Sequence, residues 1–534
     1  MLLVASPAAL ADCKPSKTTV LGPLVGEGAA LSADNVKPLR IRFYGTDLGF
    51  TYEHQGKLQI LFGDTMANEE GAPIDGTGNR HHDDSFGSID LTRWNDPSGF
   101  SSRRIPVITI AQNPGTADAS GIDPGHRMEG FKTPVGGFSN GEDEFAVFFT
   151  YKPQGCASNP DCSNGMQCDT GLGYSGFLFT TDEGLTLPCR DDSSATCHSA
   201  TLAAATGGSG LCVDPTSSIA ATTDVGRISS TAVRMLVGMR NQHNPKRYAP
   251  DHSWMTNRFL NVSVRTVRSF VPPGEPGESP SDYRPATQAA PQARVFLWGR
   301  PGFIGVGRTG RVLAQYFAYA DLPAGRAYSW NPRYFAGLDA QGRPIFSGHE
   351  RDAAPLDLDA TRDGAQATEP HDVVNQVSIA WAAPLRKWVM FYGGGLTRLP
   401  IKPSLPLCGV LELFTGSECR DVVIGNGAFR MRTADEPWGP WSPPMDLIAA
   451  GDPNAPPRGQ YGIGGMLRHP RCTRSGCAPH TRARDISPAE YGFFYGANIV
   501  EQWIRPAGDG VDVIWNASTW DPYRVILLRT HITC

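Results

Sequence analysis

The chain has 534 residues, 60 of them glycine and 44 proline, and only 19% are charged. That is the composition of a turn-rich β protein and not of a helical bundle. A formal net charge of −5 with no long basic run argues against a nucleic-acid partner. The length exceeds one ordinary core but suits one large β-propeller with decorated loops.

The first residues, MLLVASPAALADC, carry an apolar run closed by Ala9-Leu10-Ala11. Residues 1–11 therefore read as a signal peptide, short of its basic part, whose start is trimmed or misassigned. Asp12 separates Ala11 from Cys13, so no lipoprotein box is present. No run approaches the ~18 apolar residues that a membrane helix needs, so no membrane partner is expected. The leader and twelve cysteines in loop-like sequence point to an exported, disulfide-bonded protein.

Strand signals begin with FYGTDLGFTYEHQGKLQILFGDTM, from Phe43 to Met66. It reads as two strands around a tight connection, and each carries an acid among glycines: Asp47 in GTDLG and Asp64 in FGDT. His81-His82-Asp83-Asp84 follows. Strand alternation lets His82 share a face with Asp84, which suits a sugar or a cation, although a solvated loop explains the cluster more simply. No third ligand is apparent, so no metal site is assigned.

Further strands are expected at 144–150, 175–180, 311–319, 387–392, 491–495, 511–515 and 523–530. They fall into groups at about 40–115, 127–215, 225–322, 330–395 and 425–500. The last strands, 510–532, can complete a sheet begun by the N-terminus. This predicts an all-β, five-bladed β-propeller spanning 38–534 with long disulfide-stapled surface loops. Two inserts interrupt it. Residues 153–215 hold six cysteines, and the Pro-rich 271–293 reads as a mobile loop. Thr180-Thr181-Asp182-Glu183-Gly184-Leu185-Thr186 has the spacing of a propeller hairpin turn. Cys408 is expected to pair with Cys419 and Cys472 with Cys477. Cys13 and Cys534 remain, and a ring brings its ends together, so they too can bond.

With these motifs in order, the chain resembles the secreted bacterial five-bladed propellers that include endo-D-arabinanases, glycoside hydrolases of mycobacterial cell-wall arabinan. The resemblance rests on GTDLG (45–49), LFGDT (61–65), PVGGF (134–138), WNPRYF (330–335), VSIAW (377–381) leading to WVMFY (388–392), GPWS (439–442) and STWDPYRV (518–525). It implies a polysaccharide substrate, a monomer and no cofactor, with a structural calcium still compatible.

Glycoside hydrolysis needs one carboxylic acid to protonate the leaving oxygen and a second group to activate water or attack carbon. Asp47 is expected as base and Asp64 as acid or as the group that tunes it, with the order exchangeable; an inverting reaction is favoured. Glu129, Glu350 and Glu369 are candidates for a third carboxylate. His82, Asp84, Arg308 and Gln376 are candidates for sugar contacts. Related sequences often carry glutamate at the place of Gln376, and glutamine cannot donate a catalytic proton. A carbohydrate-binding propeller without catalysis, or another propeller glycosidase such as a sialidase, stays open. Trp94, Trp298, Trp330, Trp438, Trp441, Trp503 and Trp520 are available as sugar platforms, though most tryptophans of a propeller pack between blades.

Overall fold

The computed structural model describes residues 13–25, 45–66, 85–111, 132–142, 144–150, 155–156, 160, 167–169, 210–213, 223–228, 233–235, 259, 261–273, 281–300, 314–322, 332–348, 352–358, 376–393, 396–398, 422–424, 429–448, 493–520 and 524–534. The strands are short, rich in β-branched and aromatic residues, and joined by Gly- and Asp-containing turns.

The chain opens with β1 (Lys14–Val25) and then builds antiparallel sheets in sequence. The first is β2 (Gly45–His54), β3 (Lys57–Met66), β4 (Ser85–Asp90) and β5 (Thr109–Ala111), in that order. The second starts with β6 (Lys132–Ser139) and β7 (Glu144–Thr150). A small side sheet of β8 (Gly155–Cys156), β9 (Gln167–Asp169) and β10 (Gly210–Val213) intervenes before β11 (Thr223–Ile228) and β12 (Val233–Met235) complete it. The third runs β13 (Asn261–Val267), β14 (Arg294–Arg300), β15 (Tyr316–Asp321), β16 (Arg333–Leu338) and β17 (Pro344–Ser347). The fourth pairs β18 (Val377–Ala382) with β19 (Lys387–Gly393). After a side ladder of β20 (Leu396–Arg398) and β21 (Val422–Ile424), it adds β22 (Phe429–Ala434) and β23 (Met445–Ile448). The last holds β24 (Phe493–Ile499), β25 (Arg505–Ala507), β26 (Gly510–Trp520) and β27 (Arg524–Thr533), with β1 on its outer edge.

The arrangement is all-β and propeller-like. Successive first strands pack side by side: β2 on β6, β6 on β13, β13 on β18, β18 on β24, and β24 back on β2. The cores between the sheets obey the two-residue period of a strand. In β14, Val295 and Leu297 face the second sheet, whereas Phe296 and Trp298 face the fourth. In β19, Trp388, Met390 and Tyr392 face the third sheet, and Val389 and Phe391 face the last. In β3, Leu58, Ile60 and Phe62 meet the last sheet, and Leu61 meets the second. Such strands are buried on both faces, which is why they read as continuous apolar runs. The outer strands are not: Leu338 and Ile345 are 52% and 45% exposed.

A first strand has no ladder partner on its axial side, so side chains from the neighbouring sheet take up its backbone polar groups. Ser263 Oγ accepts from the Ile379 N–H at 3.2 Å, and Ser378 Oγ accepts from the Ile499 N–H at 2.9 Å. Asn498 Nδ2 donates to Leu48 O at 3.0 Å. These bonds stitch the third sheet to the fourth, the fourth to the last, and the last to the first.

The Cys13–Cys534 disulfide forms, beside the register that sets Lys14 opposite Thr533. The fold therefore begins at Lys14, not at residue 38, because β27 needs β1 to cover its outer edge. The expected groups also shift. Residues 223–235 return to the second sheet, and 333–347 stay with the third. Backbone pairing decides this, and strand-forming composition alone does not reveal it. The closing end of the Pro-rich 271–293 packs on the fold: Ser269 and Asp282 form a bridge, and Tyr283, Ala286 and Ala293 are buried. Cys168 stands opposite Cys212 in the side ladder. The 180–186 turn and the Cys408, Cys419, Cys472 and Cys477 pairings lie outside the described residues.

Trp388 is fully buried among Phe296, Trp298 and Tyr283, with ring centroids 5.7, 5.2 and 5.1 Å away. Trp388→Ala is expected to cost about 3–5 kcal/mol, read as a lowered urea midpoint. A loss below 1 kcal/mol would contradict this packing.

Candidate functional site at one end of the axis

The first strands all run the same way along the axis, so their opening residues gather at one end. Among the described side chains, those that open four of these strands are polar and buried. Asp47 lies near the start of β2, Asn261 begins β13, Gln376 immediately precedes β18, and Tyr495 lies near the start of β24; they are 6%, 3%, 4% and 6% exposed. Two of them meet, and a third lies against the same strand. The Tyr495 hydroxyl donates to Asp47 Oδ2. Gly496, next in the chain, holds φ at +64°, and a Cβ there would come 2.6 Å from Gln376 Oε1. The glycine is what lets the Gln376 amide lie against the strand that carries Tyr495.

The local backbone around Asp47 is irregular. Register shifts flank it between Gly45 and Asp47 and between Leu48 and Phe50, and Leu48 has φ of +65°. A β-bulge of this kind re-aims side chains next to functional sites. Asn498, Asn516 and Ser518 hold it, donating to Leu48 O, Gly49 O and Leu48 O at 3.0, 2.9 and 3.2 Å. The GTDLG motif is thus a bulge fixed by side chains of the last sheet. Across the ladder Asp47 pairs with Gly63, where a Cβ would meet Asp47 Oδ1 at 2.7 Å. The glycine before Asp64 therefore makes room for the Asp47 carboxylate.

Asp64 lies on β3 one residue beyond that pair, so the two acids are on neighbouring strands but are not register partners. Its side chain lies outside the described residues. So do Glu129, Glu350, Glu369, His82, Asp84 and Arg308, together with Trp330 and the Trp520 side chain. Gln376 is described, and neither end of its amide has a hydrogen-bond partner among the described residues. Leaving a buried amide unpaired costs ~1–3 kcal/mol, a cost that a bound hydroxyl would relieve. Among the described residues no three His, Cys, Asp or Glu gather as a metal site, and no helix is long and apolar enough to cross a membrane.

The sequence reading missed Tyr495 and Asn261. Tyr495 closes the expected strand YGFFY, but its partner is far away in the chain and no local pattern announces it. Arg300 is a further buried polar group at this end, opposite Asn261 in the ladder, and burial pushes its guanidinium down to about 9. Trp94, Trp298, Trp438, Trp441 and Trp503 are not platforms: each is buried in a core between sheets.

The opposite end of the axis is held differently. Arg265 of β13 donates to Ser378 Oγ and Ile499 O, both at 3.0 Å, and its Nε stands 3.9 Å from Glu501 Oε2. Burial pushes Glu501 up to about 7 despite that cation, and burial lowers Arg265 despite the carboxylate. Desolvation outweighs pairing for both partners. The folded protein keeps a proton on Glu501 that the unfolded chain releases, so stability falls as pH rises from the ordinary carboxyl range through 7. Glu501→Gln should flatten that fall by about 3 kcal/mol, measured by denaturant unfolding at pH 5 and pH 8. An unchanged slope would contradict the assignment.

No family model matches the sequence, and no curated protein matches it. Solved structures match loosely along almost the whole chain. A Podospora anserina α-L-arabinofuranosidase in complex with cellotriose is 11% identical, with 97% of both chains covered and a TM-score of 0.31. A GH43 β-xylosidase/α-arabinofuranosidase from a compost microbial metagenome, in complex with xylotriose, is 10% identical, covers 97% of this chain and 94% of its own, and has a TM-score of 0.35. A GH62 hydrolase in complex with xylotriose is 10% identical, with 96% and 97% covered and a TM-score of 0.30. Likeness at these scores carries no argument about the site, so the functional reading rests on the residues above.

Proposed function

We propose that the protein is a secreted, five-bladed propeller glycoside hydrolase that cuts a furanose polysaccharide, with the D-arabinan of mycobacterial-type walls as its substrate. The observation that carries the reading is the Tyr495–Asp47 bond between the last sheet and the first, with Gln376 of the fourth packed against the next residue, Gly496, at the same end of the axis. The five main sheets and the ring of first strands support the blade count. The Cys13–Cys534 bond supports an oxidising compartment.

Asp47 acts as base in this reading. Its low exposure suits a group that must strip a proton from one bound water and not exchange with bulk solvent. The Tyr495 hydroxyl donates to one carboxylate oxygen and so fixes how the Asp47 side chain is turned. Asp64 supplies the acid, or tunes it, from the neighbouring strand, and a third carboxylate comes from Glu129, Glu350 or Glu369. Gln376 binds a sugar hydroxyl through its amide and does not move a proton. The reaction goes with inversion in a monomer, and no cofactor enters it.

The test is digestion of mycobacterial arabinogalactan with products read by mass. Arabino-oligosaccharides from the wild type, and none from Asp64→Asn, are expected. Tyr495→Phe should keep activity but lower kcat by about tenfold, because the base loses its orienting donor while the fold is kept. Intact polymer after prolonged digestion would reject the hydrolase. A non-catalytic carbohydrate-binding propeller is the second reading, favoured by Gln376 standing where related sequences carry an acid; it predicts sugar binding with no products.

A further inference from the structure

The first strands end at a second mouth, at the far end of the axis from Asp47. A cavity of about 330 Å³ opens there, lined in part by Glu53, Arg268, Trp381, Glu501, Gln502 and Arg505. The volume is at the lower end of small-molecule sites, ~300–1,000 Å³.

The groups around this cavity are fixed in place. Glu501 Oε1 accepts from the Trp381 N–H at 3.3 Å, and its side chain is only 8% exposed. Arg265, behind it, is bonded to Val264 O, Ser378 Oγ and Ile499 O, so three first strands position the pair. Arg505 is held by Ile504 O at 2.9 Å and Asn95 O at 3.1 Å, and Arg268 by Pro285 O at 3.2 Å. The Trp381 ring is braced by Tyr283 and Trp388, with centroids 5.0 and 5.5 Å away, yet Trp381 itself is only partly buried. Gln502 Oε1 is buried and has no hydrogen-bond partner among the described residues.

The charges select the ligand. An anion would meet the carboxyl of Glu53, and that of Glu501 once it ionises near pH 7. A cation would meet Arg268 and Arg505. A neutral, hydroxyl-rich ring finds acceptors and donors interspersed, with an aromatic side chain among them for its apolar face. We propose that this far mouth is a second carbohydrate site, which holds one neutral sugar unit against Trp381 with Glu53, Glu501 and Arg505 bonding its hydroxyls. It binds and does not cut. Asp47 and Glu53 stand six residues apart on β2, so the two mouths are roughly 20 Å apart. A glycan segment held here is therefore separate from one at Asp47, and the site tethers the protein to its polymer. Binding here does not depend on the Asp47 reading, whereas the tether to a polymer that the protein cuts rests on it.

The test uses the full chain carrying Asp47→Asn, titrated by calorimetry and saturation-transfer NMR with the methyl glycosides of D-arabinofuranose, D-xylose, D-glucose and D-galactose. At least one should bind saturably, weaken tenfold or more on adding Trp381→Ala, and weaken threefold or more on adding Glu53→Gln. If Trp381→Ala fails to fold, Glu53→Gln decides. No saturable binding by any glycoside, or binding indifferent to these far-mouth changes, would overturn the proposal.

Discussion

Asp47→Asn is expected to lower the rate on arabinan by ~10²–10⁴-fold, the scale of losing a general base. KM and the unfolding midpoint should change little. Asparagine keeps the shape of the side chain and can still accept from the Tyr495 hydroxyl through its amide oxygen, so the junction between β2 and β24 survives. What is lost is the ability to take a proton. The alternative is that Asp47 only ties the first sheet to the last. In that case Asp47→Asn would leave the rate within a few fold, and Asp47→Ala would lower stability by the ~1–3 kcal/mol that an abandoned buried hydroxyl costs. The pair of variants therefore separates a catalytic carboxylate from a structural one. Tyr495→Phe adds a third point: a base that has lost only its orienting hydroxyl should fall by about tenfold in kcat, well short of the loss in Asp47→Asn.

Cys534→Ser is expected to destabilise the protein by about 2–5 kcal/mol. The bond closes a loop of nearly the whole chain, with a sequence separation of 521, so the unfolded state gains much freedom when it opens. The native contacts around it are extensive. β1 pairs with β27 from Lys14–Thr533 to Val25–Val525, and Leu21, Leu24 and Val25 pack into the core between the last sheet and the first. The ring should therefore loosen at that seam first. Cys13→Ser and the double variant should match Cys534→Ser, because all three remove one bond. Unfolding curves that do not shift on reduction would show that the strand pairing alone closes the ring.

The fold was legible wherever strand chemistry is local. The runs KLQILF, KWVMFY and VDVIW announce β3, β19 and β26 because residues buried on both faces must be apolar throughout. Closure was legible from two leftover cysteines at the ends. The grouping of strands was not, since β11 and β12 return to the second sheet across the 153–215 insert, and only pairing shows it. The site was half legible. Asp47 stood out as an acid framed by glycines, and the structure gives the physical reason for that frame: a bulge around Leu48, and Gly63 making room across the ladder. Tyr495 and the Arg265–Glu501 pair did not stand out, because each contact joins residues hundreds of positions apart. Trp381 was passed over for the same reason. It differs from the buried tryptophans only in its place at the end of a first strand.

The central claim is that sugar chemistry happens at the Asp47 end of the axis. Its most direct test is a crystal structure of the Asp47→Asn protein soaked with an arabino-oligosaccharide. The account predicts sugar density beside Asn at position 47, within hydrogen-bond reach of the Gln376 amide and close to the Tyr495 side chain. A fully occupied oligosaccharide elsewhere, with that end of the axis empty of sugar, would contradict it.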